Sequence, residues 1–285
     1  MAEETQRIIG KGGYCHEHAL GRIDLAIYIK ASVRRAYVPD LDEIDNIVAS
    51  YKPTWHKMPT VFSVCNKTTL RASDPLCDVD DLLPPKKPRR GPLCLVFGSA
   101  KHPGGGWLSG SYGQEEFIMR RTGMSALVEK NAALYDDPVH SKAPFYSNYM
   151  QFADSMPVFR SNAGGLFPEP YYLSFVVAAA PNLAAARSEA EKTKVRAMMR
   201  SRIHALLAVA ATRGYHRLVL GAWGCGAFGH KAEDVAEDFR VLMTDGGVFE
   251  NVFTHVVFGV PPFDDGSNPN IKPFLDHFAN GDPTP

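Results

Sequence analysis

Residues 93–121 read LCLVFGSAKHPGGGWLSGSYGQEEFIMRR. The stretch opens on an apolar run, Leu93-Cys94-Leu95-Val96-Phe97, bounded by Pro92 and Gly98; its length and β-rich composition predict a buried strand. A glycine loop follows, with Gly104, Gly105 and Gly106 in a row and Gly110 and Gly113 beyond. Consecutive glycines pack nothing and lose the most entropy on folding, so they point to unusual dihedrals or to backbone lying against a ligand. The loop stops at Gln114-Glu115-Glu116, after which Phe117, Met124, Leu127, Val128 and Leu134 recur at helical spacing. A helix is therefore expected to begin near Gln114, with two carboxylates in its first turn. Acids are ordinary there, because the helix dipole favours them. Strand, glycine loop and helix start together say more, since that arrangement holds phosphates through backbone N–H groups. No Gly-Lys-Ser/Thr follows, which excludes a Walker loop, and the glycine spacing does not fit a dinucleotide fingerprint.

The same logic recurs downstream. Arg217-Leu218-Val219-Leu220 reads as a strand, followed by a second glycine loop with Gly221, Gly224, Gly226 and Gly229, and then by a helix from about Lys231 to Met243. Leu173–Ala180, ended by Pro181-Asn182, and Val252–Val260 supply further apolar strands. Between them, residues 186–213 are helical, with Val195, Met199, Ile203, Leu206 and Ala210 spaced by three or four. Alternating strands and helices predict an α/β fold with an α/β/α layered core. Two glycine loops at strand ends would then border one crevice.

Three glycines followed after seven residues by Gln-Glu-Glu resemble the signature of the poly(ADP-ribose) glycohydrolases. The flanking SAKHPGGG and the downstream LVLGAWGCGAF are similar to the bacterial-type, or microbial, branch of that family, and the resemblance spans most of the chain. It implies a macrodomain-like core with a mixed sheet. It also implies that Glu116 is the catalytic glutamate, that Glu115 holds ribose hydroxyls and that Gln114 supports the loop. Gly104, Gly105 and Gly106 would approach the substrate on one side. Gly224, Cys225, Gly226, Ala227 and Phe228 would cradle the ADP-ribose diphosphate and pack beside the terminal ribose.

The chemistry fits those residues. Cleaving a ribose–ribose O-glycosidic bond passes through an oxocarbenium-like state, which needs a proton for the departing oxygen and negative charge near the cation. One glutamate can give that proton and then activate water, and burial against Phe117 or Trp107 would raise its pKa. The substrate's diphosphate can supply the negative charge, so neither metal nor cofactor is expected, and the sequence shows no metal-ligand cluster. Cys225 lacks a paired histidine that would make it a nucleophile and reads otherwise as a small packing residue. His102, beside the glycines, reads as a hydrogen-bonded surface histidine more readily than as an acid or base. One position departs from the family: relatives carry Asn or Asp where this chain has Val96 before Phe97-Gly98-Ser99-Ala100. Three activities follow as expectations. The favoured one is hydrolysis of poly(ADP-ribose) from its free end; the others are ADP-ribose binding without turnover, motivated by Val96, and removal of mono-ADP-ribose from protein or nucleic acid.

A chain of 285 residues, 45% of them hydrophobic, can bury a large core. Its 31 basic and 31 acidic residues cancel, which argues against a surface that coats nucleic acid, and direct DNA binding is not expected. The five cysteines, at 15, 65, 77, 94 and 225, show no metal spacing and suit a reducing compartment. Without a signal peptide or a long apolar window the chain reads as an intracellular, cytoplasmic monomer that takes poly(ADP-ribose) or ADP-ribosylated proteins as substrate, releases ADP-ribose and uses no membrane. Residues 1–90 read as an accessory region packed on the core, with a helix at Glu3–Ile9, a strand at Ile23–Ile29, a helix at Asp40–Tyr51 and a strand near Thr60–Cys65. It ends in a proline-rich connector whose basic stretch Lys86–Arg90 leaves nuclear import open. Residues 91–262 read as the catalytic domain and 263–285 as a tail. Within the domain, residues 136–172, rich in proline and aromatics, read as a long binding loop or cover whose aromatics either shape a nucleotide pocket or, as for Phe152 and Phe159, anchor it to the core.

Overall fold

The computed structural model describes residues 1–19, 21–56, 58–77, 91–263 and 265–279. The basic stretch Lys86–Arg90 lies outside the described residues.

At the centre is a six-stranded sheet in the order β3 (Val61–Cys65), β8 (His255–Gly259), β7 (Arg217–Leu220), β4 (Leu93–Phe97), β6 (Leu166–Ala178) and β5 (Met150–Arg160). Neighbours from β3 to β6 run parallel, and β5 closes one edge antiparallel to β6. The sheet is mixed. Parallel strands covered on both faces need apolar side chains on both, and this is why β4 reads as one unbroken hydrophobic run. Leu93 and Leu95 face one apolar cluster, while Cys94 and Val96 face another. The first cluster is completed by α3 (Leu41–Ser50), α8 (Glu189–Thr212), α9 (Ala232–Met243) and α10 (Ile271–Phe278). The second is completed by α1 (Ala2–Lys11), α2 (Ala26–Arg35), α4 (Thr69–Ala72), α5 (Gln114–Met119) and α6 (Met124–Lys130). A short helix, α7 (Ala133–Asp136), leads from α6 toward β5. The layers are α/β/α.

Helix ends follow local chemistry. Asp40 caps α3 by accepting from the Glu43 N–H at 2.7 Å, and Ser188 caps α8 by accepting from Glu191 at 3.2 Å. Gly12 stops α1 in the left-handed conformation, φ 75°, with its N–H on Ile9 O.

Several expected elements differ. The strand read at Ile23–Ile29 is confined to β2 (Arg22–Asp24), paired with β1 (Gly13–Cys15), and the chain then enters α2. Alternation at 23, 25, 27 and 29 is the period of a strand, but Ile27 is 67% exposed while Leu25, Ile29 and Ser32 are buried, the spacing of a helix face. The helix read from Gln114 onward breaks between Met119 and Met124. There the chain turns toward β5 so that Thr122 bridges Val158 and the Phe159 N–H reaches Arg121 O at 3.0 Å.

The stretch 136–172 is not one irregular cover: 150–160 and 166–172 belong to the long strands β5 and β6. Pro157 is tolerated because β5 is an edge strand, and Ser155, at φ 52°, marks the register shift between Ala153 and Met156. Phe152 and Phe159 are buried within β5 itself. The last strand is shorter than Val252–Val260, because Phe249 and Phe253 fold into the core as a turn before His255.

Residues outside 91–262 also contribute to the sheet and its packing. β3 pairs along its whole length with β8, so a strand from before residue 91 belongs to the central sheet. α1 and α2 are tied to the same body by Thr5 Oγ1 to Arg120 O at 2.7 Å and Ser32 Oγ to Asp154 O at 2.7 Å. Beyond residue 263, α10 buries Phe274 and Phe278 against Phe258.

Candidate active site

β4 ends at Phe97 near the middle of the sheet, flanked by β7 and β6, whose parallel course brings their C-terminal ends to the same edge. The loop after β4 returns to this edge through α5. Gln114 makes the join. Its Oε1 accepts the Phe97 N–H at 2.8 Å, and its Nε2 donates to Leu95 O at 2.7 Å and to Thr69 Oγ1 at 2.9 Å. The side chain thus stitches α5 to β4 and α4, a bracing function.

Glu115 turns inward and is 4% exposed. Its Oε2 accepts the Ser99 N–H at 2.7 Å, while Oε1 is buried without a hydrogen-bond partner. Burial pushes its pKa well above the ordinary carboxylate range and the charge of Glu116 adds to this, against the Ser99 and Gly104 N–H groups that favour the anion. Glu116 is half-buried, and its Oε1 accepts the Gly106 N–H at 3.0 Å. The burial expected of the catalytic glutamate therefore falls on its neighbour, Glu115.

The glycines are shaped to these carboxylates. A Cβ on Gly105, whose φ is 62°, would clash with Glu116 Oε1 and stand 3.0 Å from Glu115 Oε2; one on Gly113 would clash with Glu116 Oε2. The loop is held from beneath by Arg120, 7% exposed, which donates from Nε to Trp107 O at 2.9 Å and from Nη2 to Ser111 O at 2.7 Å. His102 is exposed, and its N–H bonds Ser99 Oγ at 3.0 Å.

The loop after β7 lies beside the first. Gly224, at φ 80°, is followed by Cys225, Gly226, Ala227 and Phe228, and the His230 N–H closes the turn on Gly224 O at 3.1 Å. Among the described residues, no hydrogen-bond acceptor engages the N–H groups of Gly224, Gly226, Ala227 or Phe228, and Gly226 and Ala227 are exposed. Such a run of unengaged N–H groups suits an anion. Cys225 packs toward the core, and burial pushes its thiol up to about 12, which leaves it inert as a nucleophile.

Phe228 packs 5.9 Å from Tyr146, ring to ring, and these two join Ala100 and Ala179 in a small apolar cluster where four segments meet. His230 Nε2 to Pro181 O at 2.8 Å and Ala184 N to Phe228 O at 3.0 Å tie the loop to the end of β6. Arg202, 2% exposed, donates to Ala179 O at 2.6 Å, Phe145 O at 3.0 Å and Tyr146 O at 3.3 Å. Sequence reading missed Ser99, Arg120, Tyr146, Arg202 and His230. Only Tyr146 stood in a stretch marked for its aromatics, and a buried arginine in a helix carries no local signal. A separate cleft of about 400 Å³, lined by Ile47, Tyr51, Trp55, His56, Tyr215 and His216, lies at the opposite ends of the strands.

Comparison with known proteins agrees with this arrangement. The microbial-type PARG catalytic domain, the catalytic domain of poly(ADP-ribose) glycohydrolase, matches residues 2–161. The crystal structure of poly(ADP-ribose) glycohydrolase from Thermomonospora curvata is 34% identical, covers 98% of this chain and 96% of its own, and superposes with a TM-score of 0.83. The same protein bound to the inhibitor ADP-HPD gives 34% identity, the same coverages and a TM-score of 0.80. The glycohydrolase from Deinococcus radiodurans in complex with ADP-ribose is 28% identical over 88% of this chain and 96% of its own, with a TM-score of 0.74. Comparison with curated proteins gives no match. A family domain covering more than half of the chain, full-length structural agreement and the macrodomain-like layering lead to one conclusion: this chain belongs to the microbial-type poly(ADP-ribose) glycohydrolases.

Proposed function

We propose that the protein hydrolyses the ribose–ribose O-glycosidic bond of poly(ADP-ribose) from the free end of the chain, releasing ADP-ribose, with Glu116 as both acid and base. The observation that carries this is the placement of Glu115 and Glu116 against the Gly104–Gly106 backbone, beside a second loop with unengaged N–H groups. The solved relatives bind ADP-ribose and ADP-HPD, and the diphosphate of ADP-ribose suits the Gly224–Phe228 N–H groups here.

With the diphosphate held there, the terminal ribose meets the glutamates. Glu116 protonates the departing 2′-oxygen of the preceding unit as the bond to C1″ breaks, and negative charge stabilises the oxocarbenium ion. As a carboxylate it then takes a proton from the water that attacks C1″. Glu115, fixed by Ser99 with one buried oxygen unpartnered, hydrogen-bonds the ribose hydroxyls. Phe228, backed by Tyr146, bounds the pocket beyond that ribose and favours chain ends.

Val96 does not argue for a reader that lacks turnover. It is fully buried in the cluster that holds Trp107, Ile118 and Met119, and the Gln114, Glu115 and Glu116 bonds form without a polar group at this position. The protein acts as an intracellular monomer, and its balanced charge supports the reading that it does not bind DNA directly. Among the described residues no helix is long and apolar enough to cross a membrane.

The decisive experiment measures release of ADP-ribose from poly(ADP-ribose) by the purified protein and by Glu116→Gln, with ADP-ribose binding measured for both. Release by the wild type and binding without release by the variant are expected. Binding without release by both would leave an ADP-ribose reader.

A further inference from the structure

Tyr112 is 97% exposed, beside a carboxylate in a loop whose other parts are closely held. An exposed aromatic ring by itself is unremarkable on a protein surface. This one is not on a loose tip. The N–H groups of Ser109 and Ser111 both bond Gly106 O at 3.1 Å, and Arg120 grips Trp107 O and Ser111 O from beneath. The guanidinium of Arg120 lies 5.6 Å from the centre of the Tyr112 ring. A cation therefore backs the ring on one side, while its near-complete exposure leaves room for a partner.

The ring's position relative to Glu116 gives it a partner. Tyr112 immediately precedes Gly113, the residue on which a Cβ would clash with Glu116 Oε2, and adjacent Cα atoms stand about 3.8 Å apart. The ring thus projects from the loop that borders the catalytic carboxylate. The oxygen protonated there is the 2′-oxygen of an adenosine ribose, and the adenine sits on the neighbouring carbon, C1′. When that oxygen is at Glu116, the base of the departing unit must lie within a nucleoside's reach of the Gly106–Gly113 loop.

We infer that Tyr112 is the stacking platform for the adenine of the departing unit, and so sets the enzyme's preference for polymer over substrates whose leaving group carries no base. This rests on Glu116 being the group that protonates the leaving oxygen. Base stacking on an aromatic ring, reinforced by the arginine behind it, supplies the binding.

The test compares wild type, Tyr112→Ala and Tyr112→Phe. Initial rates are measured on poly(ADP-ribose) and on an ADP-ribose 1″-O-glycoside with trifluoroethanol, which has no ring to stack, as leaving group, and the Kd for free ADP-ribose is measured by calorimetry. For Tyr112→Ala, KM for polymer rises roughly 5- to 100-fold, the range set by loss of one base stack. KM for the trifluoroethyl glycoside and the Kd for ADP-ribose stay at wild-type values, and Tyr112→Phe behaves as wild type on both substrates. An unchanged KM for polymer in Tyr112→Ala overturns the assignment. So does an equal rise for both substrates, which would make Tyr112 a support for the loop. A wild type that releases nothing from polymer brings down the glycohydrolase reading itself, a failure visible before any variant is compared.

Discussion

Gly113 separates placement of a carboxylate from the strain of a backbone. Its φ of −137° is open to any residue, yet a Cβ there meets Glu116 Oε2. Gly113→Ala should therefore fold normally, with Tm unchanged within a degree or two, while kcat falls about 100-fold, as expected when Glu116, the proposed acid and base, is displaced by about an ångström. Thermal melts and steady-state rates on polymer check both halves. Gly105→Ala adds a disfavoured φ of 62° to a similar clash and should lose stability as well as activity. Glu115 gives a prediction in pH. Its folded pKa lies above the unfolded value because of burial. Its contribution to stability is thus present in full below the unfolded pKa and is lost as pH rises toward and through the folded value. Glu115→Gln abolishes that dependence, so the Tm of the variant minus that of the wild type should grow as pH rises from 4 to 8. A flat difference would show that the carboxyl is not desolvated. The position of these residues was legible from the succession of strand, glycine loop and helix start, and their expected roles came from the family resemblance. Ser99 was not legible, since it acts only through its backbone N–H.

Secondary structure was legible wherever one periodicity dominated. α8, α9, β4 and β7 match the spans read from apolar spacing to within a few residues. The second half of β6 was read in advance from the apolar run beginning at Leu173, whereas β5 and the first half of β6 did not announce themselves, because prolines and aromatics read as loop until Pro157 is seen on an edge strand, where no N–H is missed. The break between α5 and α6 was equally hidden. It depends on Arg121, whose guanidinium caps Phe117 O at 3.1 Å and reaches Ser161 O and Asn162 O on the far hairpin, contacts that no local pattern contains. The segment between α7 and β5 carries a titratable weak point. His140 is buried, bonded to Ser147 Oγ at 2.8 Å, and its pKa is lowered from 6.5 to about 4 by burial and then by the charge of Arg202, against Asp137. A depressed histidine stabilises the fold above the unfolded pKa, and that stability is lost as pH falls toward the folded value. His140→Gln should remove about 2–3 kcal/mol of the wild type's loss between pH 6.5 and pH 4, read from urea unfolding at each pH. Identical pH profiles for the two proteins would refute this.

The chain closes on itself through parts that looked peripheral. The residues after 263 show no long apolar run, yet α10 places Phe274 and Phe278 in the core, the latter stacked 4.5 Å from Phe258 and 5.1 Å from Phe62 of β3. The edge strand contributed from the start of the chain is thus covered by a helix from its end. Phe278→Ala should cost about 3–5 kcal/mol in urea unfolding, with KM for polymer unchanged in the molecules that remain folded. A loss below about 1 kcal/mol would mean that α10 merely rests on the surface. The layering could be inferred from alternation alone, whereas membership of β3 in the sheet depends on its pairing with β8, some 190 residues away. The site itself hangs on the central strand. Gln114 is held by the Phe97 N–H and Glu115 by the Ser99 N–H, at the end of β4 between two parallel neighbours. Amides so placed exchange with solvent only when the whole sheet opens. Catalytic competence therefore has no melting transition of its own: in denaturant, activity and the sheet should vanish at one midpoint, and the specific activity of a preparation reports the fraction of its molecules that are folded.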